Sequence, residues 1–431
     1  MSTIKTFGSV DERSLKQLER CMQAGDAEFG VLCADHHPGY SQPIGGGIAY
    51  EGYVSPSGVG YDIGCGNKAV QTELPAAEVD VPAVMREITR RISFGMGVPA
   101  QKRVDHPVLD KIRNADFGPQ RKLAQLAESQ LGTVGSGNHY VNLMQDEQGR
   151  IWVGVHFGSR GFGHKTASGF LALAAGLDFE ARAREGEMDS PPVLFEVGSE
   201  LGESYVAAME LAGEYAYAGR DVVVDKVLEI LGAEATHEVH NHHNFAWREE
   251  HFGRTYWVIR KGCTPARPGQ EGFVGGSMGD ESVILEGVES AENEQALFST
   301  VHGAGRVMSR SQAAGRIRRA TVRECTMRDC DFSVPAKEYS GQTCPEHGTK
   351  LRKVRRELQL KPGLVDWPAV QARLREQGIV LVGGGADEAP EVYKRLPDVL
   401  AAHGETIRVK HTLRPLGVAM AGRDVHDPYK D

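Results

Sequence analysis

Apolar positions recur at helical spacing in three stretches of the chain. Within 10–24, Leu15, Leu18 and Met22 share one face, and Ser9 and Glu12 precede them with capping-box spacing. Residues 200–219 carry Tyr205, Met209, Ala212 and Ala216 at the same period. In 366–377, Pro368 falls in the first turn and Gly378 follows the end, which is the punctuation of a third helix. Strands are predicted at IWVGVHF (151–157), TYWVIR (255–260), SVILEG (282–287) and IVLVG (379–383), each a short run rich in β-branched and aromatic residues. Helices and strands do not alternate, and no repeat of ~20–50 residues recurs. The expected fold is therefore α+β, one large mixed body over 1–431. The stretch 324–365 differs in character and reads as an inserted subdomain.

Composition narrows the picture. Glycine, 52 of 431 residues, is well above the usual ~7%, so tight turns and close backbone approaches are expected. No apolar run reaches the ~18 residues of a membrane span, and MSTIKTFGSV has no apolar signal core. The seven cysteines are odd in number and scattered, which favours thiols or metal ligands over a disulfide framework. A reducing, cytoplasmic compartment is the expectation. A net charge of −9 argues against non-specific nucleic-acid binding by the whole surface but leaves room for local basic patches.

The chemistry-bearing residues lie in glycine-rich segments. SGVGYDIGCGN (57–67) holds Asp62 and Cys65 three residues apart, so that a tight turn points both at one ion; a plain turn with a buried thiol explains it as well. GSGNHYVN (135–142) and VHFGSRGFGH (155–164) place His139 and His156 among small residues, the setting of either a ligand or a hydrogen-bonded core imidazole. HEVHNHHNF (237–245) has four histidines in seven positions; in an extended segment His240 and His242 share one face, and His237 and His243 the other. One carboxylate, one thiolate and several imidazoles together suit zinc, manganese or cobalt better than magnesium or calcium. In RKGCTPARPGQEGFVGGSMGDES (260–282), the GGSMG turn offers backbone amides to a phosphate or ribose. Finally, VHGAGRVMSR sets His302 between glycines, and six arginines follow by residue 323: Arg306, Arg310, Arg316, Arg318, Arg319 and Arg323. Arginine forks suit phosphate oxygens, and a solvated basic helix face is the plainer reading. A neutral imidazole beside so small a backbone is placed to attack phosphorus.

In this order and at these spacings, DIGCG, GSGNHY, HFGSRGFGH, HHNF, RKG…GGSMG and HGAGR resemble the RtcB family of GTP-dependent RNA ligases, over about residues 30–422. The resemblance implies β-sheets around a central metal and nucleotide cleft. It implies two ions, usually Mn(2+), held by Asp62, Cys65, His139, His156 and His243, with Cys65 bridging. It makes His302 the guanylylated nucleophile and GTP the co-substrate. Guanylate contacts would come from Asn138, His139, Asn142, Asn244, Gly275, Gly276, Ser277, Met278, Ser282, Ala304 and Gly305. The implied reaction joins RNA 3′-phosphate or 2′,3′-cyclic phosphate ends to 5′-hydroxyl ends in RNA repair or tRNA splicing, with an archease-type activator as a candidate partner. Guanylylation of an RNA or DNA 3′-phosphate without sealing, and an inactive RNA-binding paralogue, are the alternatives.

The chain departs from the family pattern in four places. Asn142 stands where the family usually has Glu, Ala421 where it has Lys, Phe157 where Ser is common, and nine residues follow Gly422. Cys325, Cys330, Cys344 and His347 are spaced to hold a structural Zn(2+) in an inserted knuckle, the alternative being three incidental thiols in a loop. KLRKVRREL after them offers Lys350, Arg352, Lys353, Arg355 and Arg356 to a nucleic-acid strand.

Overall fold

The computed structural model describes residues 2–25, 27–181, 187–327 and 330–422, with all their side chains except those of 317–319 and 357–359. Two sheets dominate the mixed α+β architecture. The larger runs in the order Glu271–Val274, Ser282–Gly287, Ile407–Gly422, Tyr140–Gln145, Arg150–Phe157, Gly66–Pro75, Ala235–His242, with Val380–Gly384 pairing parallel to Ile407–Gly422. The second orders Thr3–Thr6, Phe29–His37, Ile44–Tyr50, Arg254–Lys261, Asn244–His251. The chain crosses from one sheet to the other at His243, between Ala235–His242 and Asn244–His251. A third, separate sheet pairs Gly315–Glu324 with Ser333–Pro335 and Arg352–Pro362, so residues 324–365 contain strands as well as loops.

The four predicted strands form, as do the three helices, with altered ends. The first helix is Glu12–Ala24, capped by Asp11, which accepts from the Ser14 amide at 2.7 Å, in place of the expected Ser9 box. The second, Glu200–Leu231, does not stop at 219. Gly219-Arg220 reads as a helix end in sequence, but Arg220 is fully buried and the true stop is Gly232 in the left-handed region. Tyr205, Met209, Ala212 and Ala216 all face the core, where a large apolar side chain contributes roughly 1.5–3 kcal/mol. The third is Trp367–Glu376. The arginine-rich run after His302 is not a helix face. Only Arg310–Ala314 is helical; Gly315, at φ +78, turns the chain into a strand, and a Cβ there would meet the Lys361 carbonyl.

Among the described residues no helix is long and apolar enough to cross a membrane.

Candidate metal and nucleotide site

Sheet register gathers the candidate ligands. Cys65 immediately precedes the Gly66–Pro75 strand and His139 the Tyr140–Gln145 strand. His156 is the last residue but one of Arg150–Phe157, and His243 follows directly on Ala235–His242. These strands are neighbours: Asn67 pairs with His156, Tyr140 with His156, and Gly66 with His242. Four adjacent strands thus bring four side chains to one end of the sheet.

There the donor atoms converge. Cys65 Sγ lies 3.7 Å from His139 Nε2 and 3.8 Å from His156 Nε2, and Asp62 Oδ2 is 3.1 Å from His139 Nε2. Asn67 donates through Nδ2 to the Phe273 carbonyl at 2.8 Å, so its Oδ1 accepts from His156 Nδ1 at 2.6 Å. That tautomer leaves the His156 Nε2 lone pair facing Cys65. The His243 ring stacks on His156 at 5.1 Å, and its backbone amide donates to the Cys65 carbonyl at 2.8 Å. Burial holds His156 and His243 well below the ordinary histidine range, as neutral ligands require. Asp62, although burial opposes ionisation, is brought down to about 2 by its His139 contact. Burial and the neighbouring Asp62 push the Cys65 thiol well up, so a cation is what would make it a thiolate. His139 Nδ1 is buried without a hydrogen-bond partner. Cys65, His139 and His156 offer donor atoms all within 4.8 Å of one another, a set that fits a transition metal, with Asp62 against His139 and the His243 ring stacked on His156 at its edge.

The other histidines of the 237–245 run are engaged elsewhere. His237 pairs with Glu271 at 2.7 Å. His240 Nε2 accepts from Arg220 Nε at 2.9 Å, and His242 Nδ1 lies 3.0 Å from Arg220 Nη2. Arg220 also donates to the carbonyls of Gly64 and Phe157 at 2.9 and 2.6 Å, pinning the turn that carries Cys65. Asp221, Glu238 and His240 form a second acid–imidazole group, but Lys68 Nζ sits 2.6 Å from Asp221 and 2.9 Å from Glu238 and already balances it.

His302 follows the Ser299–Val301 strand, and its ring centroid lies 4.9 Å from that of His243. Its Nδ1 is 2.6 Å from Asp35 Oδ2, which also accepts from the amides of His302 at 3.0 Å and Gly303 at 3.3 Å. Burial works against ionisation of Asp35, yet the His302 contact holds its carboxyl below the ordinary value. The Nδ1–H of His302 is thereby committed, and Nε2 is the free ring nitrogen. Gly305, at φ +77, is indispensable here, because a Cβ would lie 2.1 Å from the Asp35 carbonyl oxygen.

The candidate nucleotide residues split into two groups. Asn138, His139 and Asn244 line a cavity of about 1150 Å³ together with the candidate metal ligand Asp62 and with Arg160 and Lys261. Arg160 opens its helix at φ +54 and donates to the Gly95 carbonyl at 3.1 Å. Burial lowers Lys261 to about 8. Asn138 Nδ2 is 3.4 Å from His156 Nε2, and Asn244 Oδ1 accepts from the Gly262 amide at 2.7 Å. The second group lies by His302: a Cβ on Gly303 would stand 3.7 Å from the Gly275 carbonyl, so the two glycine loops face each other. Gly276 N donates to Ser282 Oγ at 3.1 Å, Ser277 Oγ to Asp280 at 2.6 Å, and Met278 and Ala304 are buried. Asn142 is buried with Oδ1 unpartnered, and Phe157 is buried in the core.

Two of the arginines are already paired with acids, although Arg310 also lines the cavity. Arg306 meets Tyr393 Oη at 3.1 Å and the Asp387 carbonyl at 2.8 Å, and Arg310 pairs with Asp387 at 3.1 Å and with Glu388. The side chains of Arg318 and Arg319 lie outside the described residues. Cys325, Cys330, Cys344 and His347 come together in the third sheet's connection as a group of their own.

Residues 21–343 match the family described as tRNA-splicing ligase RtcB. The RNA-splicing ligase RtcB of Escherichia coli K12 is 32% identical over 318 residues, covering 66% of this chain and 75% of that one. The tRNA-splicing ligase RtcB of Thermococcus kodakarensis is 30% identical, covering 71% and 79%, and that of Methanococcus maripaludis is 26% identical, covering 96% and 92%. The chain belongs to the RtcB family.

Proposed function

We propose that this chain is a metal-dependent RNA ligase that joins 3′-phosphate or 2′,3′-cyclic phosphate ends to 5′-hydroxyl ends through a guanylate carried on His302. The observation that carries the reading is the oriented imidazole: Asp35 holds Nδ1, and the ring lies against His243 at the edge of the Cys65 cluster. Asp62, Cys65, His139, His156 and His243 would hold manganese, which when bound polarises phosphoryl oxygens. His302 Nε2 attacks the α-phosphorus of GTP, and pyrophosphate leaves. Asp35 stabilises the positive charge that the ring acquires as the N–P bond forms. An RNA 3′-phosphate oxygen then takes the guanylate from His302, and a 5′-hydroxyl displaces GMP to close the phosphodiester. A 2′,3′-cyclic end is first hydrolysed: water adds to phosphorus, the bond to O2′ breaks, and a 3′-phosphate with a free 2′-hydroxyl results.

The third sheet supports an RNA substrate. In its register Arg323 faces Lys353 and Thr321 faces Arg355, so three cations share one face. On the other face the single carboxylate of Glu324 is shared by Arg352 at 3.3 Å and Arg356 at 2.6 Å. A ribbon with cations on both faces suits a strand of phosphates.

Incubation with α-labelled GTP and manganese, followed by addition of 3′-phosphate and 5′-hydroxyl strands, tests the proposal. A labelled protein band and a sealed product are expected. A band that transfers guanylate to the 3′-phosphate without sealing selects end-capping instead, and no band at all removes both.

Asp35→Asn tests the orientation of the nucleophile. The amide is isosteric and its oxygen keeps the two backbone hydrogen bonds, but the charge facing the imidazole is lost. Partners that orient functional imidazoles are typically worth about 10–100-fold, and a drop of that size in the rate of adduct formation is expected, with metal content unchanged. An unaltered rate removes Asp35 from the mechanism.

Nucleotide choice is expected to be relaxed. Asn142 and Ala421 replace two charged residues of the family pattern, and a charge-assisted hydrogen bond is worth about 1.5–3 kcal/mol, roughly ten- to a hundredfold in affinity. ATP should therefore compete with GTP in the adduct assay. Strong preference for GTP at low concentration would show that other groups read the base.

A further inference from the structure

We propose that Cys325, Cys330, Cys344 and His347 bind one structural zinc ion that closes the free end of the third sheet. The four candidate ligand atoms all lie within 4.8 Å of one another. Cys330 Sγ is 3.8 Å from Cys344 Sγ, which is 3.7 Å from His347 Nδ1. Sulfurs at ~2.3 Å and a nitrogen at ~2.0–2.1 Å from one tetrahedral ion are about 3.5–3.8 Å apart, so these spacings are already edges of a zinc tetrahedron.

The backbone is shaped for thiolates. The Met327 amide donates to Cys325 Sγ at 3.4 Å, and the Phe332 amide donates to Cys330 Sγ at 3.5 Å. Thr349 Oγ1 lies 3.2 Å from Cys325 Sγ. Cys344 and His347 sit on one tight turn, in which the Gly348 amide, at φ +67, donates to the Cys344 carbonyl at 2.8 Å. Such a turn presents both side chains to one side, as a metal knuckle requires.

Packing alone gives this segment little. Its apolar cluster consists of Cys325, Cys344 and Leu351, with Cys330, Phe332 and Tyr339 against it, and two of the three buried members are themselves thiols. The strand pair leading to it, Gly315–Glu324 with Arg352–Pro362, belongs to neither large sheet. A unit this small is ordinarily held by disulfides or a metal. All seven cysteines are free, and the Cys330–Cys344 separation is far beyond a ~2.05 Å bond. Three thiolates and one imidazole fill a tetrahedron and leave no position for substrate, so the ion's role is structural.

Zinc per chain, measured on the full-length protein purified under reducing conditions, tests the site. Cys344→Ser should lose about one zinc per chain relative to the parent, while Cys65→Ala, which disturbs the other cluster, keeps that ion. His347→Cys preserves a closed tetrahedral set and should retain the metal. Cobalt(II) taken up by Cys65→Ala, in which the other cluster has lost its thiolate, should show thiolate charge-transfer and tetrahedral ligand-field absorption, shifted when His347→Cys is added and absent when Cys344→Ser is added. The label on His302 should persist in Cys344→Ser, so failure here is separable from failure of the ligase reading. Equal zinc in the parent and Cys344→Ser, or a Cys330–Cys344 disulfide found by mass mapping, overturns the proposal.

Discussion

His302→Ala is expected to yield a folded protein that forms no covalent nucleotide adduct and whose sealing activity falls by at least about 10³-fold. Among the described residues no other imidazole near the cluster has one ring nitrogen committed to a buried carboxylate and lies against the opposed glycine loops. The variant keeps the backbone amides of residues 302 and 303, which still donate to Asp35. What it loses is the ring contact that offsets the burial of Asp35. In the parent the Asp35 carboxyl is depressed by His302, so its contribution to stability is present above the ordinary carboxylate range and is lost as pH falls through the folded value. The variant should therefore melt lower near neutral pH, by the equivalent of about 1.5–3 kcal/mol, and the difference should shrink on acidification. Full labelling of His302→Ala by α-labelled GTP would discard the assignment.

Much of the candidate site is legible in sequence because its residues cluster in short glycine-rich motifs. Cys65, His139, His156 and His243 stand at strand ends and Asp62 in the turn before Cys65, where a turn residue and a ligand must be adjacent. That the four strands are neighbours is a property of topology, which a sequence of short motifs does not contain. Asp35 is the clearest omission. It lies in FGVLCADHH, an apolar strand, and a buried carboxylate in such a run is itself the signal, since only a charged or hydrogen-bonded partner makes it tolerable. Arg220 misleads in the opposite way. After Gly219 it resembles a helix terminus, whereas it is a buried cation whose partners are 64, 157, 240 and 242, all distant in sequence. The arginines after His302 mislead because composition alone cannot say which cations find acids. Arg306 and Arg310 find Asp387 and Glu388, some eighty residues on, and only the later part of the run reaches the open ribbon.

Cys65→Ala is expected to remove bound metal and, with it, all detectable ligation. The thiol is the group shared by the cluster: Sγ is within 4 Å of both His139 and His156, and the residue is tied by its backbone to His243, whose amide donates to its carbonyl at 2.8 Å. Removing it leaves neutral imidazoles and Asp62, which alone must then balance a divalent charge. Of the ligand types here, thiolate is the softest and the one that most favours a transition metal over magnesium or calcium. The fold should survive, because deleting one sulfur from a buried turn costs only about 1 kcal/mol, and Arg220 continues to hold Gly64. Cys65→Ser separates the two contributions. It restores volume and a hydrogen-bonding atom without an accessible anion, so it should resemble Cys65→Ala in metal content and the parent in thermal stability. Elemental analysis is the measurement, made alongside the adduct assay on the same preparations. Full manganese occupancy in Cys65→Ala would refute a centre built on this thiolate, and full occupancy in Cys65→Ser alone would show that the cluster needs the volume of the side chain and not its charge.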